Sequence, residues 1–125
     1  MPSTVFTQKD LIGSFVFTLQ DHGILQGLYN NTLQEKPFPE SAQRRPESSS
    51  AKKSNQDIFT GIYDTIWLEV DGVEATYLEI RPAKNAGTYY LFWRDDEKEY
   101  FRGLAFVRGN DLVGAYWHEE IKKGS

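Results

Sequence analysis

The chain is expected to fold as an all-β, antiparallel, up-and-down meander barrel of seven or eight strands, and three observations predict it. Between Gly87 and Trp117, aromatic and branched residues arrive in three short runs broken by Asp95-Asp96-Glu97-Lys98 and by Gly109-Asn110. Such runs, separated by charged or Gly/Asn breaks, are the pattern of antiparallel strands joined by tight turns. Asp71-Gly72 lies between two further apolar runs and is the strongest hairpin signal in the chain. Gly13-Ser14-Phe15, Gly27-Leu28-Tyr29, Gly61-Ile62-Tyr63, Gly103-Leu104-Ala105 and Gly114-Ala115-Tyr116 each set a glycine two residues before a same-face residue, aromatic in all but Ala105. Glycine weakens a strand unless it serves a bend, a bulge or a close approach, so its recurrence points to strands that coil sharply enough to close a barrel. A β-sandwich is the alternative.

In chain order, the short polar segment Thr4–Asp10 offers Thr7 as a weak helix cap. Leu11–Gln20 reads as a strand, Asp21-His22-Gly23 as a turn, and Ile24–Leu33 as the returning strand. About 35–56 the composition changes, with Pro37, Pro39 and Pro46, Ser48-Ser49-Ser50, and Phe38 as the one aromatic. A stretch so poor in apolar side chains is expected to be a disordered insertion within a single domain spanning 1–125. It is also basic: from 36 to 56, Lys36, Arg44, Arg45, Lys52 and Lys53 face Glu40 and Glu47, a net of +3 that leaves −7 on the rest of a chain whose total is −4. Ile58–Val70 is then a long strand and Val73–Arg81 its return. Pro82 ends that return because proline lacks the N–H a ladder needs. Lys84-Asn85-Ala86-Gly87 turns into the final meander, and 119–125 reads as a solvated tail.

Composition excludes several functions. There is no cysteine, hence no disulfide framework, thiolate nucleophile or Cys-based zinc site. No run approaches the ~20 apolar residues that cross a bilayer as a helix, so no membrane contact is expected and the cytoplasm is the expected location. A net charge of −4 argues against nucleic acid as a partner, since such affinity rests largely on cationic side chains. No cofactor motif and no metal-ligand spacing occurs, and Asp95-Asp96-Glu97 lacks the pattern of a calcium loop.

The seven or eight strands in meander order, with Gly61-Ile62-Tyr63 opening a long strand and Leu25-Gln26-Gly27-Leu28-Tyr29-Asn30 earlier, resemble the calycin group of lipocalins and avidins. Tyr63 stands where lipocalins typically carry Trp, and the motif lies in mid-chain. The resemblance covers roughly 11–33 and 57–118 and implies a fold, with no ligand set.

The chain carries 14 % aromatic residues, and Tyr63, Trp67, Tyr89, Trp93 and Tyr116 are the candidate ligand-binding residues, because rings with a polar tip line sites for small apolar or aromatic molecules. The expected function is therefore non-catalytic binding of such a molecule in an aromatic-lined interior. No catalytic residue is assigned. An enzyme would have to use His118 or Asp64 as acid or base, while His22 reads as a solvated turn residue. Asp64 falls on the strand face that also carries Ile58, Ile62, Ile66 and Leu68, and a bulge at the barrel rim is its expected explanation. A third reading makes the domain an adaptor acting through an outer sheet face or through Arg44-Arg45-Pro46-Glu47-Ser48 of the 36–56 linker. If the glycines and rings point inward, the opposite face carries Ile58, Ile62, Ile66, Leu68, Leu78, Ile80, Tyr90, Phe92, Leu104, Phe106, Val113 and Trp117. That apolar outer face predicts a homo-oligomer.

Overall fold

The structure is a computed structural model, described for residues 11–20, 23–46, 58–96 and 99–118. These form eight strands: β1 (Ile12–Gln20), β2 (Ile24–Asn31), β3 (Phe38–Arg44), β4 (Gly61–Glu69), β5 (Gly72–Pro82), β6 (Thr88–Arg94), β7 (Glu99–Arg108) and β8 (Asp111–His118). Each pairs antiparallel with its chain neighbours, and β1 pairs with β8, closing an up-and-down barrel. The sandwich alternative is excluded by that closure. The 1–10 segment, His22 and the 119–125 tail lie outside the described residues.

Alternation along the strands decides the interior. Phe15 and Phe17, Tyr63 and Trp67, Leu91 and Trp93, and Leu112 and Tyr116 all point inward and are buried. Burial of a large apolar side chain contributes about 1.5–3 kcal/mol, so this interior holds the barrel closed. The repeated glycines have a specific role in it. Paired residues on adjacent strands share a face, and the register sets Phe15 opposite Gly114, Phe17 opposite Gly27, and Tyr116 opposite both Gly13 and Gly103. A Cβ on Gly114 would lie 2.8 Å from the Phe15 ring and 2.3 Å from the Leu104 carbonyl oxygen, and one on Gly13 would lie 2.4 Å from the Tyr116 ring. Gly13, Gly27, Gly103 and Gly114 are thus each a seat for a ring from a neighbouring strand, as well as points where backbones approach closely.

Three expectations are corrected. The proposed insertion at about 35–56 supplies β3 from Phe38 to Arg44, whose Glu40 and Ala42 are buried; 47–57 lies outside the described residues. The segment is poor in apolar residues yet needs few, because β2 and β4 supply its ladders and only alternate positions meet the core. Leu78 and Ile80, placed on the outer face, are inward and fully buried. They stand opposite Tyr63 and Gly61, and antiparallel partners cannot face opposite sides. Asp64 sits in regular pairing with Tyr77 rather than on a bulge; the register shift of the barrel lies between Trp93 and Arg94, opposite Glu99–Phe101.

Candidate functional site

The two ends of the barrel differ. At the end carrying the β1–β2, β3–β4, β5–β6 and β7–β8 connections, the interior is filled. Phe59 lies edge-on to the Tyr89 ring at 5.8 Å, and the Tyr63 hydroxyl donates to the Phe59 carbonyl (2.8 Å) and accepts from Arg44 Nη2 (2.9 Å). The Arg44 guanidinium also lies 5.3 Å from the Tyr63 ring centre. This end is a plug.

The opposite end holds a cavity of about 360 Å³, lined by Phe15, Tyr29, Trp67, Trp93, Phe101 and Tyr116, with Leu33, Gln34, Val70 and Asp71 at its rim. Trp93 packs 5.6 Å from Phe15 and 5.7 Å from Tyr116, and Phe101 stands edge-on to Tyr116 at 5.5 Å and to Trp67 at 6.3 Å. Rings that meet edge-to-face are locked against one another and leave faces available to an occupant. The glycine seats explain why six rings crowd here without filling the space: Gly13, Gly103 and Gly114 let Tyr116, Trp93 and Phe15 lie back against the wall.

Polar groups are few and held in place. The Glu40 side chain projects inward from β3 and is only 6 % exposed. Its Oε2 accepts hydrogen bonds from the Thr65 hydroxyl (2.6 Å) and from Trp93 Nε1 (2.9 Å). Among the described residues Oε1 has no hydrogen-bond partner, and the carboxylate has no basic side chain in ion-pair range. Burial pushes its pKa up to about 7, against the opposing effect of the two hydrogen bonds. Nearer the mouth, Trp67 Nε1 donates to Glu69 Oε2 (2.9 Å), Asn31 Nδ2 donates to the Tyr116 hydroxyl (2.8 Å), and the Tyr29 hydroxyl donates to the Leu68 carbonyl. Burial also raises the Tyr29 and Tyr116 phenols above their ordinary range, so both remain neutral.

Of the five ligand-binding candidates, Trp67, Trp93 and Tyr116 line the cavity, whereas Tyr63 and Tyr89 belong to the filled end. No family model, curated protein or solved structure matches this chain. The remaining candidates are placed by geometry alone. Asp64 points outward, its side chain 59 % exposed, paired with Arg45 at 2.8 Å. His118 ends β8 on the inward side, edge-on to Phe101 at 6.0 Å, with Nδ1 buried and unpartnered. The two therefore share no site. Arg44 and Arg45 are part of the barrel wall, Arg45 stacking on Tyr77 at 4.2 Å, which removes them from any free docking linker. No described cluster of His, Cys, Asp or Glu suits a metal ion, and no described helix is long and apolar enough to cross a membrane.

Glu40 is the residue that sequence reasoning missed. The signal was the alternation Phe38, Glu40, Ala42 against Pro39, Ser41 and Gln43, obscured by the two prolines and by a charge on the inward stripe.

Proposed function

We propose that the barrel binds a small, flat apolar or aromatic molecule in the cavity at its open end. The observation that carries this is an interior divided into one packed end and one end where six rings surround about 360 Å³ of space. That volume is at the lower end of the roughly 300–1,000 Å³ usual for ligand sites, and it suits one ring system better than a long chain. The seven-or-eight-strand meander resembling calycins, here closed with eight strands, supports the same reading, since closed barrels of this size either fill with side chains or hold one small ligand. Tryptophan fluorescence titrated with small aromatic compounds tests it: saturable quenching, abolished in Trp67→Ala and retained in Tyr89→Phe, is expected. Equal binding by the wild type and Trp67→Ala refutes the site.

We also infer that copies of the chain associate through the outer wall of β7, β8, β1 and β2. Phe106, Val113, Val16 and Leu28 are consecutive cross-strand partners and form an apolar row across these strands. Phe106 and Leu28 are each about half exposed, and Leu104, Tyr90, Trp117 and Ile12 extend the patch. A closed barrel offers no strand edge, so a second copy of this face is the partner of matching chemistry.

A further inference from the structure

We infer that the occupant of the cavity is an organic cation, an aromatic or alkyl amine whose ammonium group sits against Glu40. This deepens the binding function proposed above and rests on it.

The argument begins with the charges that face the space. Among the described residues its lining contains three carboxylates, Glu40, Glu69 and Asp71, and no Lys, Arg or His. Acidic residues gathered at a rim are ordinary. Glu40 is different, being buried at the inner end of the cavity with one carboxylate oxygen unpartnered among the described residues. Its other oxygen receives only neutral donors, Thr65 and Trp93. An ionised carboxylate withdrawn from water costs several kcal/mol unless a countercharge meets it, and the described residues supply none. An occupant bearing N–H⁺ groups supplies both the countercharge and the missing donor to Oε1.

The rest of the lining fits the same class. Trp67, Trp93, Tyr116 and Phe15 present π systems, whose faces attract cations, Trp most of all. An anionic ligand would meet three carboxylates. A purely apolar ligand would shield Glu40 from water without partnering it. The ring cage takes the organic part of the amine, and Glu69, fixed by Trp67 Nε1, adds negative potential at the entrance.

Among the described residues the ionisable groups facing Glu40 are Tyr29 on β2, Glu69 at the end of β4, Asp71 in the following turn, and Tyr116 on β8. His118 lies at the mouth behind Phe101. The described inward positions of β1, β6 and β7 are aromatic, aliphatic or Gly; on β5 they include Thr76, Leu78 and Ile80, with Glu74, opposite Trp67, exposed at the open end. Both tyrosines stay neutral through the physiological range, so within the cavity Glu40 is the group whose proton competes with the ammonium. With its carboxyl titrating at about 7, binding of the cation releases a proton at lower pH, and affinity falls toward tenfold per pH unit below that value.

The test is calorimetric titration of the full chain with phenethylamine and with its neutral isostere 2-phenylethanol, at pH 8 and pH 5.5, for the wild type and Glu40→Gln. Expected is a preference for the amine of tenfold or more at pH 8, falling about thirtyfold in amine affinity at pH 5.5, with alcohol binding unchanged. Glu40→Gln is expected to abolish the preference while still binding the alcohol. Equal or tighter binding of the alcohol by the wild type at pH 8 overturns the cation inference and leaves the aromatic cavity standing. An amine preference retained at pH 5.5, a comparison that needs no variant, overturns the role of Glu40. No binding of either compound at millimolar concentration overturns the cavity reading and this inference together.

Discussion

Replacing Glu40 by Gln is expected to make the ligand-free protein more stable at pH 8 and to leave it nearly unchanged at pH 4.5. The buried carboxyl keeps its proton up to about pH 7 in the folded barrel, whereas an ordinary glutamate releases it at 4.5. Folding therefore takes up a proton between those values, and the contribution of Glu40 to stability falls as pH rises through that window. Above it the full difference applies, and at 1.36 kcal/mol per pH unit of displacement it amounts to about 3 kcal/mol. Glutamine keeps a carbonyl oxygen able to accept from Thr65 and Trp93, carries no charge, and directs its amide toward the cavity. Urea denaturation of both proteins at the two pH values measures the effect as a difference of differences, so that other titrating groups cancel. The expected result is a gain of about 3 kcal/mol for Glu40→Gln at pH 8 and little at pH 4.5, accompanied at pH 8 by a melting temperature higher by roughly 10 °C. A stability difference independent of pH, or a loss at pH 8, would refute the claim that Glu40 is a buried and uncompensated acid.

Gly114→Ala is expected to destabilise the barrel by about 3 kcal/mol, since its Cβ would lie 2.3 Å from the Leu104 carbonyl oxygen and against the Phe15 ring. Gly87→Ala, at φ +81° in open space, is expected to lose only about 1 kcal/mol by the same urea assay, and equal losses would sink the seat interpretation. Tyr63→Phe is expected to cost about 2 kcal/mol by leaving the Phe59 carbonyl and Arg44 short of a partner, with the affinity for cavity ligands unchanged because the residue belongs to the filled end. By light scattering, the wild type is expected to exceed the 14.4 kDa of one chain, and Leu104→Lys with Phe106→Lys to give a folded 14.4 kDa species; a wild type already at that mass refutes association.

Much of the barrel is legible in the sequence. Alternation of apolar and polar residues reports which side of a strand meets the core, and Asp71-Gly72 and Gly109-Asn110 report where hairpins turn, because both are properties of neighbouring residues. The glycine repeat carried the closure as well. Its full meaning, a ring from the next strand seated on four of the five glycines, depends on register and is invisible until Gly114 is set opposite Phe15 and Gly13 opposite Tyr116. Register likewise turned Leu78 and Ile80 inward and paired Asp64 with Arg45 on the outer wall. Strand β3 escaped notice because a strand between two partners borrows its ladders and most of its burial from them, and so needs little apolar character of its own. Glu40 escaped with it. The sequence by itself determined that aromatic rings fill a closed antiparallel sheet; the tertiary structure decided that Tyr63 and Tyr89 plug one end while Trp67, Trp93 and Tyr116 frame a space at the other. It also decided that a carboxylate lies at the bottom of that space, because depth along a barrel and the lack of a countercharge among the described residues are relations among strands that no single segment encodes.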